Sequence, residues 1–220
     1  MTASSLRTAA EPAGPLGPAG PAAGPLLRRP LEALDALFED FFAVLARWQD
    51  GRTLWLLGGG LALGLELFSV LWIQKVQGLF PCELCVKIRL AMWGVGLGAG
   101  WAALAPRRLA FKLPGYALTL GSAVAGLRLS TRLEAINVEA TYDPQWLAPC
   151  VSGRVSFPGG LRLDKWLPLH FRPDGVCGET ADWSLLGLSM TQWLMTVYAV
   201  MIVGLLLMLA SFLAARLRAE

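Results

Sequence analysis

The sequence predicts an all-α membrane protein, a four-transmembrane-helix bundle with a long outer loop that contains a short interfacial helix. Three observations carry that expectation. The 220 residues are 55% hydrophobic and only 16% charged, too apolar for an ordinary soluble domain of this size. Four apolar runs, at about 54–74, 88–105, 113–130 and 190–215, each approach the roughly 20 residues that cross a hydrocarbon core of about 30 Å. The connection from Pro106 to Lys112 is short, which makes the second and third runs antiparallel neighbours and places both chain ends on one side.

Taken in order, residues 1–30 are Ala, Pro, Gly and a few Arg without apolar periodicity, so they read as a disordered tail. They hold no apolar core of signal-peptide type, and the first span is expected to stay in the mature protein. Over 31–50 the apolar residues Leu34, Leu37, Phe38, Phe41, Phe42 and Leu45 recur at steps of three and four, opposite Glu32, Asp35, Glu39 and Asp40. That pattern is an amphipathic helix, lying on the membrane surface or against the bundle, with no chemistry of its own. Residues 51–215 form the membrane domain, with outer loops at about 75–87 and 131–189, and 216–220 form an inner tail.

The formal net charge of +3 is thinly spread, with no dense basic stripe to follow phosphates, which argues against nucleic acid as a partner. Near the span ends, Arg47, Arg52, Arg107, Arg108, Lys112, Arg216 and Arg218 fall on one side, the cytoplasmic pattern. The opposite side carries fewer basic residues and all four cysteines. Its long loop is too polar to span and too rich in Pro and Gly for one helix. Within it, Leu161 to Leu169 mixes Leu and Trp166 with Asp164 and Lys165, which suits a short helix in the interface with the tryptophan at headgroup depth.

The chemistry lies in Cys82-Glu83-Leu84-Cys85 at the outer mouth of the second span. Two thiols separated by two residues close a small ring reversibly, and a thiolate at a helix start is stabilised by unpaired backbone N–H groups. Cys85 is the better candidate for the low-pKa sulfur, because Arg89 four residues on shares its helical face. Zinc is the rival reading. It normally wants two close ligand pairs, whereas Cys150 and Cys177 are far apart in sequence and His170 is the chain's single histidine.

Redox chemistry explains more: a second dithiol on the same side lets electrons pass between pairs by thiolate attack through mixed disulfides. The bland alternative keeps Cys150 and Cys177 as a staple closing the loop. The chain has no Rossmann fingerprint, haem motif or iron–sulfur cysteine cluster to accept electrons. A lipid-soluble acceptor remains, a quinone at the top of the second helix, with the Cys85 thiolate as donor and Arg89 steadying the negative charge that develops.

Several separated motifs match one family. Leu65-Glu66-Leu67, then Leu71-Trp72-Ile73-Gln74-Lys75-Val76 and Pro81-Cys82-Glu83-Leu84-Cys85 with Arg89, resemble disulfide bond formation protein B, DsbB. Leu163-Asp164-Lys165-Trp166-Leu167-Pro168, Cys177, and Leu186-Gly187-Leu188 leading to Gln192-Trp193-Leu194 follow in that family's order. The resemblance covers roughly residues 50–210. It implies an enzyme of the bacterial inner membrane that reoxidises a periplasmic DsbA-like thioredoxin-fold protein at the expense of the membrane quinone pool, ubiquinone or menaquinone. By position, Cys150 would take the partner's thiolate, Cys177 would be released to engage Cys82, and Cys85 would face the quinone beside Arg89. No metal is implied.

One departure stands out. The family's histidine just after the third span has no counterpart, the stretch reading Arg128-Leu129-Ser130-Thr131-Arg132, so Arg128 or Arg132 is a potential substitute; His170 looks incidental. Glu66, near the middle of the first span, is costly there as a charged carboxylate and should face the bundle, protonated or paired, either supplying protons near the quinone or simply packing. From a different class, a transporter or a scaffold with purely structural loop disulfides is the alternative, although no second Gly/Pro-broken half-repeat appears. Vitamin K epoxide reductase-like enzymes share four helices and quinone chemistry but place the CxxC in a late helix.

Overall fold

The computed structural model describes residues 40–142, 155–175 and 183–217. The tail 1–30, residues 31–39 of the segment 31–50, Cys150, Cys177 and the last three residues lie outside the described residues. All described residues but Asp40 belong to one unit, Phe41–Glu220.

That unit is built from helices. Residues 41–49 form the described part of α1. Then come α2 (Arg52–Phe68), continued by a π-helix (Ser69–Val76), α3 (Glu83–Leu104) and α4 (Leu109–Tyr142). Two single-turn helices, α5 (Leu163–Trp166) and α6 (Pro168–Phe171), precede a minimal hairpin of β1 (Ser184–Leu185) and β2 (Leu188–Ser189) that runs straight into α7 (Met190–Leu217). Two of these are long and apolar enough to cross a membrane: Arg52–Val76 and Met190–Leu217.

Small residues set the helix packing. Along α3, Gly94 faces Ser122 and Gly98 faces Thr119 of α4, so closely that a methyl group at either glycine would collide with the partner side chain. The partner number falls as the α3 number rises, so the two helices are antiparallel. The same reversed pairing joins Gly59 to Ala99 and Leu63 to Gly96 between α2 and α3. Gly100, the last of the α3 glycine series, faces open space. Between α4 and α7, Gly126 lies under the ring of Tyr198, a fully buried residue whose hydroxyl donates to the Ile88 carbonyl of α3 at 2.8 Å. One tyrosine thus locks three helices together.

Where the sequence reading expects one short helix, the chain forms two separate turns, broken where Leu167 leaves helical geometry ahead of Pro168. They are fastened to α3 by Phe171, which is buried with Phe157 and Val86. Helix α4 runs to Tyr142, past residue 130 where the apolar run ends. The reason is amphipathicity: Leu133 and Ile136 stay in the core while Arg132 and Glu139 are exposed, so helix persists where hydropathy alone reads loop.

At the end remote from the cysteines, Gln49 of α1 is fully buried. Its amide donates to Ser211 of α7 at 3.1 Å and accepts from the Tyr116 hydroxyl of α4 at 2.6 Å, and its carbonyl accepts from Trp55 of α2 at 2.9 Å. Beside it Lys112, also buried, pairs with Asp50 at 2.7 Å and sits over the Phe212 ring. The amphipathic lead-in is therefore a polar clasp on the helix ends. Overpacking a close helix contact costs about 1–3 kcal/mol, so Gly126→Ala should lower the thermal unfolding midpoint of detergent-purified protein by several degrees. An unshifted midpoint would show that α4 and α7 do not approach this closely.

Candidate functional site

Helix α3 starts at Glu83 because Cys82 caps it. Cys82 has extended backbone angles, and its sulfur accepts the Cys85 N–H at 3.3 Å, the geometry of an N-cap with sulfur in place of a hydroxyl. The two sulfurs lie 2.8 Å apart, both as free cysteines. Cys82 is buried and Cys85 half-buried. The hydrogen bond to Cys85, with burial second, raises the Cys82 thiol well above its ordinary pKa, so of the two it is Cys82 that holds its proton. Ahead of the pair, the Pro81 carbonyl accepts the N–H groups of Asp174 and Gly175, both at 3.1 Å. The segment that follows α6 is thereby stitched to the entrance of the dithiol.

Nearly two turns into α3, and one turn beyond Cys85, Arg89 is almost wholly buried. Its guanidinium donates to Gln74 Oε1 at 2.9 Å, to Ser69 Oγ and to the His170 carbonyl, both at 3.4 Å, and faces Glu66 Oε1 at 3.6 Å. Glu66 is the paired carboxylate that its position in the span demands, and no hydrogen bond is made to that same oxygen. The π-helix explains how Ser69 and Gln74 both reach Arg89. Residues five apart diverge around an α-helix, whereas the wider i→i+5 turn brings them toward one face.

These groups share a pocket of about 300 Å³ between α2, α3, α7 and the hairpin. Cys85, Arg89, Glu66 and Ser69 line it together with apolar walls that include Phe68, Ile73, Ile88, Met92 and Val197. Trp183, Leu185 and Leu186 close its hairpin side. The structure thus brings Cys82, Cys85, Arg89 and Glu66 into one site. Cys150 and Cys177 lie outside the described residues, as does any pairing between them. Arg128 and Arg132 are exposed and line no part of the pocket.

Sequence reasoning missed several members. Gln74 had a signal, a lone amide at the end of an apolar run. Ser69 had none, because its role depends on a π turn; Leu186 lay in the Leu186-Gly187-Leu188 motif, but only chain reversal brings it to the pocket. His170, read as incidental, contributes its carbonyl to Arg89 and stacks edge-on against Trp93, with ring centroids 6.0 Å apart. Burial, then the Arg89 charge, lowers its imidazole pKa. Among the described residues no cluster of His, Cys, Asp and Glu could hold a metal ion.

Helices fit to cross a membrane, with a dithiol capping one helix at the rim of an apolar pocket, define a class: helical membrane proteins with a paired-thiol site. Within it, the sequence profile of the family described as disulfide bond formation protein DsbB matches residues 51–208. A disulfide bond formation protein B from Pectobacterium atrosepticum is 38% identical over 76% of this chain and 90% of its own length. Namesakes from Haemophilus influenzae and Shigella boydii are 36% and 37% identical, over 76% and 79% of this chain and 90% and 95% of theirs. The chain belongs to the DsbB family.

Breaking a buried ion pair by removing one partner leaves an uncompensated charge and costs about 3–5 kcal/mol. Glu66→Ala should therefore destabilise the protein strongly, and adding Arg89→Met should recover much of the loss. A double-mutant cycle on unfolding midpoints measures this, and strictly additive effects would show that the two side chains do not interact.

Proposed function

We propose that the protein is a membrane thiol:quinone oxidoreductase that regenerates the disulfide of a periplasmic DsbA-like thioredoxin-fold protein and so sustains disulfide bond formation. The observation that carries the reading is that Cys85, Arg89 and Glu66 line one apolar pocket. In this reading α2 with its π turn, α3, α4 and α7 all cross the bacterial inner membrane. The dithiol end faces the periplasm, and α5 and α6 lie in the interface with Trp166, which is exposed, at headgroup depth.

The residues present fit a quinone. The walls are almost entirely apolar, and the Arg89 guanidinium and Cys85 thiol among them would supply hydrogen-bond donors to its ring oxygens. A bound quinone supplies a sink for two electrons and two protons, leaving as hydroquinone. The chain's own part begins with the partner's thiolate attacking Cys150, which forms an intermolecular disulfide and frees Cys177 as thiolate. Cys177 attacks Cys82 of the oxidised Cys82–Cys85 pair and frees Cys85 as thiolate in the pocket. The partner's second thiol then displaces Cys150, and the partner leaves oxidised. Attack by Cys150 on Cys177 next frees Cys82. Closing the Cys82–Cys85 bond again sheds the two electrons originally carried by the partner's thiols.

One feature supports this order. Cys85 rather than Cys82 faces the pocket, and Arg89 stands on the same wall to stabilise negative charge there. The four hydrogen-bonding and ionic partners of Arg89 hold the guanidinium in place, which spares reorganisation when charge develops. A scaffold with purely structural disulfides leaves unexplained why one sulfur and a buried cation open into the same cavity.

Replacing Cys82 or Cys85 by Ser should abolish quinone-dependent reoxidation of a reduced thioredoxin-like partner while the protein still fractionates with membranes; turnover that persists eliminates the enzymatic reading. Separately, Cys177→Ala leaves Cys150 as a free thiol, which should attack the disulfide of the oxidised partner and accumulate a mixed disulfide visible on a nonreducing gel. An adduct that forms through Cys82 instead would reverse the proposed order of transfer.

A further inference from the structure

The hairpin between β1 and β2 turns on two residues in the left-handed region, Leu186 at φ +54° and Gly187 at φ +80°. A two-residue turn with positive φ at both positions favours Asn-Gly or Asp-Gly, because the first residue must tolerate a Cβ pressed against a neighbouring carbonyl. Leucine is a poor choice for that position. Among the described residues Leu186 is the only non-glycine with positive φ. Burial could offset the strain, but Leu186 is 86% exposed, so the folded chain gives it no compensating contact.

The rest of the hairpin is held firmly. Trp183 donates its indole N–H to Gln77 Oε1 at 2.6 Å, and Trp193 donates its own to the Leu185 carbonyl at 2.9 Å. Behind the hairpin, the Glu134 carboxylate of α4 accepts from Ser189 Oγ at 3.2 Å, from Gln192 Nε2 at 3.0 Å and from Thr191 Oγ1. The base is clamped from α4, α7 and the turn after the π-helix, while the strained apolar tip stands bare on the rim of the pocket that Cys85 and Arg89 line. Strain of this kind persists where surrounding structure enforces it, and it marks ligand clamps.

We infer that Leu186 is a specificity-determining residue that covers the hydrocarbon tail of a quinone whose head group lies in the pocket, favouring tailed over tail-less acceptors. This rests on the reading that the pocket takes a quinone. A tail emerging past the head group has to cross the apolar rim formed by Trp183, Leu185, Leu186 and Trp193. Burying leucine against it supplies the contact that the empty fold lacks.

The test is Leu186→Asn in the full chain, reconstituted in lipid nanodiscs, because asparagine accepts left-handed angles without offering apolar cover. Binding is read from quenching of tryptophan fluorescence, with two benzoquinones of identical ring substitution, one carrying a ten-carbon tail and one with none. The variant should bind the tailed quinone about fivefold more weakly, the order set by losing one or two buried methylene contacts, and the tail-less one less than twofold more weakly. Its quinone-free thermal midpoint should equal or exceed that of the wild type, since strain is relieved and no internal packing is lost.

Equal weakening of both quinones, weakening of neither, or a lowered midpoint overturns the inference, the last because the leucine would then be packing within the fold. If wild-type protein binds neither quinone, the pocket reading fails together with the inference. If it binds both and the variant keeps their ratio, only the role of Leu186 fails.

Discussion

A single buried cation organises this structure. Arg89 sits nearly two turns inside a helix among apolar neighbours, where an unpaired guanidinium would be prohibitively costly. Four polar groups answer it: the Glu66 carboxylate from the last turn of α2, Gln74 and Ser69 from the π turn, and the His170 carbonyl from α6. Remove the cation and the π-helix loses its purpose, the carboxylate becomes a buried liability, and α6 loses one of its ties to α3. The charge therefore specifies how α2, α3 and the outer segment meet.

That same requirement shapes the site. A guanidinium held by fixed partners is oriented before any ligand arrives, and preorganised charge is what stabilises developing negative charge at little cost. Cys85 is placed on the pocket by Cys82, which caps the helix with its sulfur instead of the usual oxygen. The dithiol is thus an element of local structure as well as a chemical group, and its geometry follows from where α3 begins. At the far end, Gln49 and Lys112 perform a purely structural version of the same task, satisfying buried polar groups so that the helix ends stay together.

Much of this was legible beforehand because it is written in local chemistry. Apolar runs of the right length are helices wherever they occur, and a CxxC followed by Arg at helical spacing puts thiol and cation on one face under any packing. Other features escaped for stated reasons. Charges beyond residue 130 read as loop, yet α4 continues because its apolar face is still covered. His170 looked idle because its contribution is a backbone carbonyl, which residue type does not reveal.

The sequence by itself determined the helical class, the family, the dithiol and the need for Glu66 to find a partner, since each depends on residue type and short-range spacing alone. Only the tertiary structure decided that the partner is Arg89, that a π turn delivers Ser69 and Gln74, and that a strained leucine crowns the rim. Those outcomes depend on contacts between residues remote in the chain, whose energies come from packing and charge pairing that no local pattern encodes.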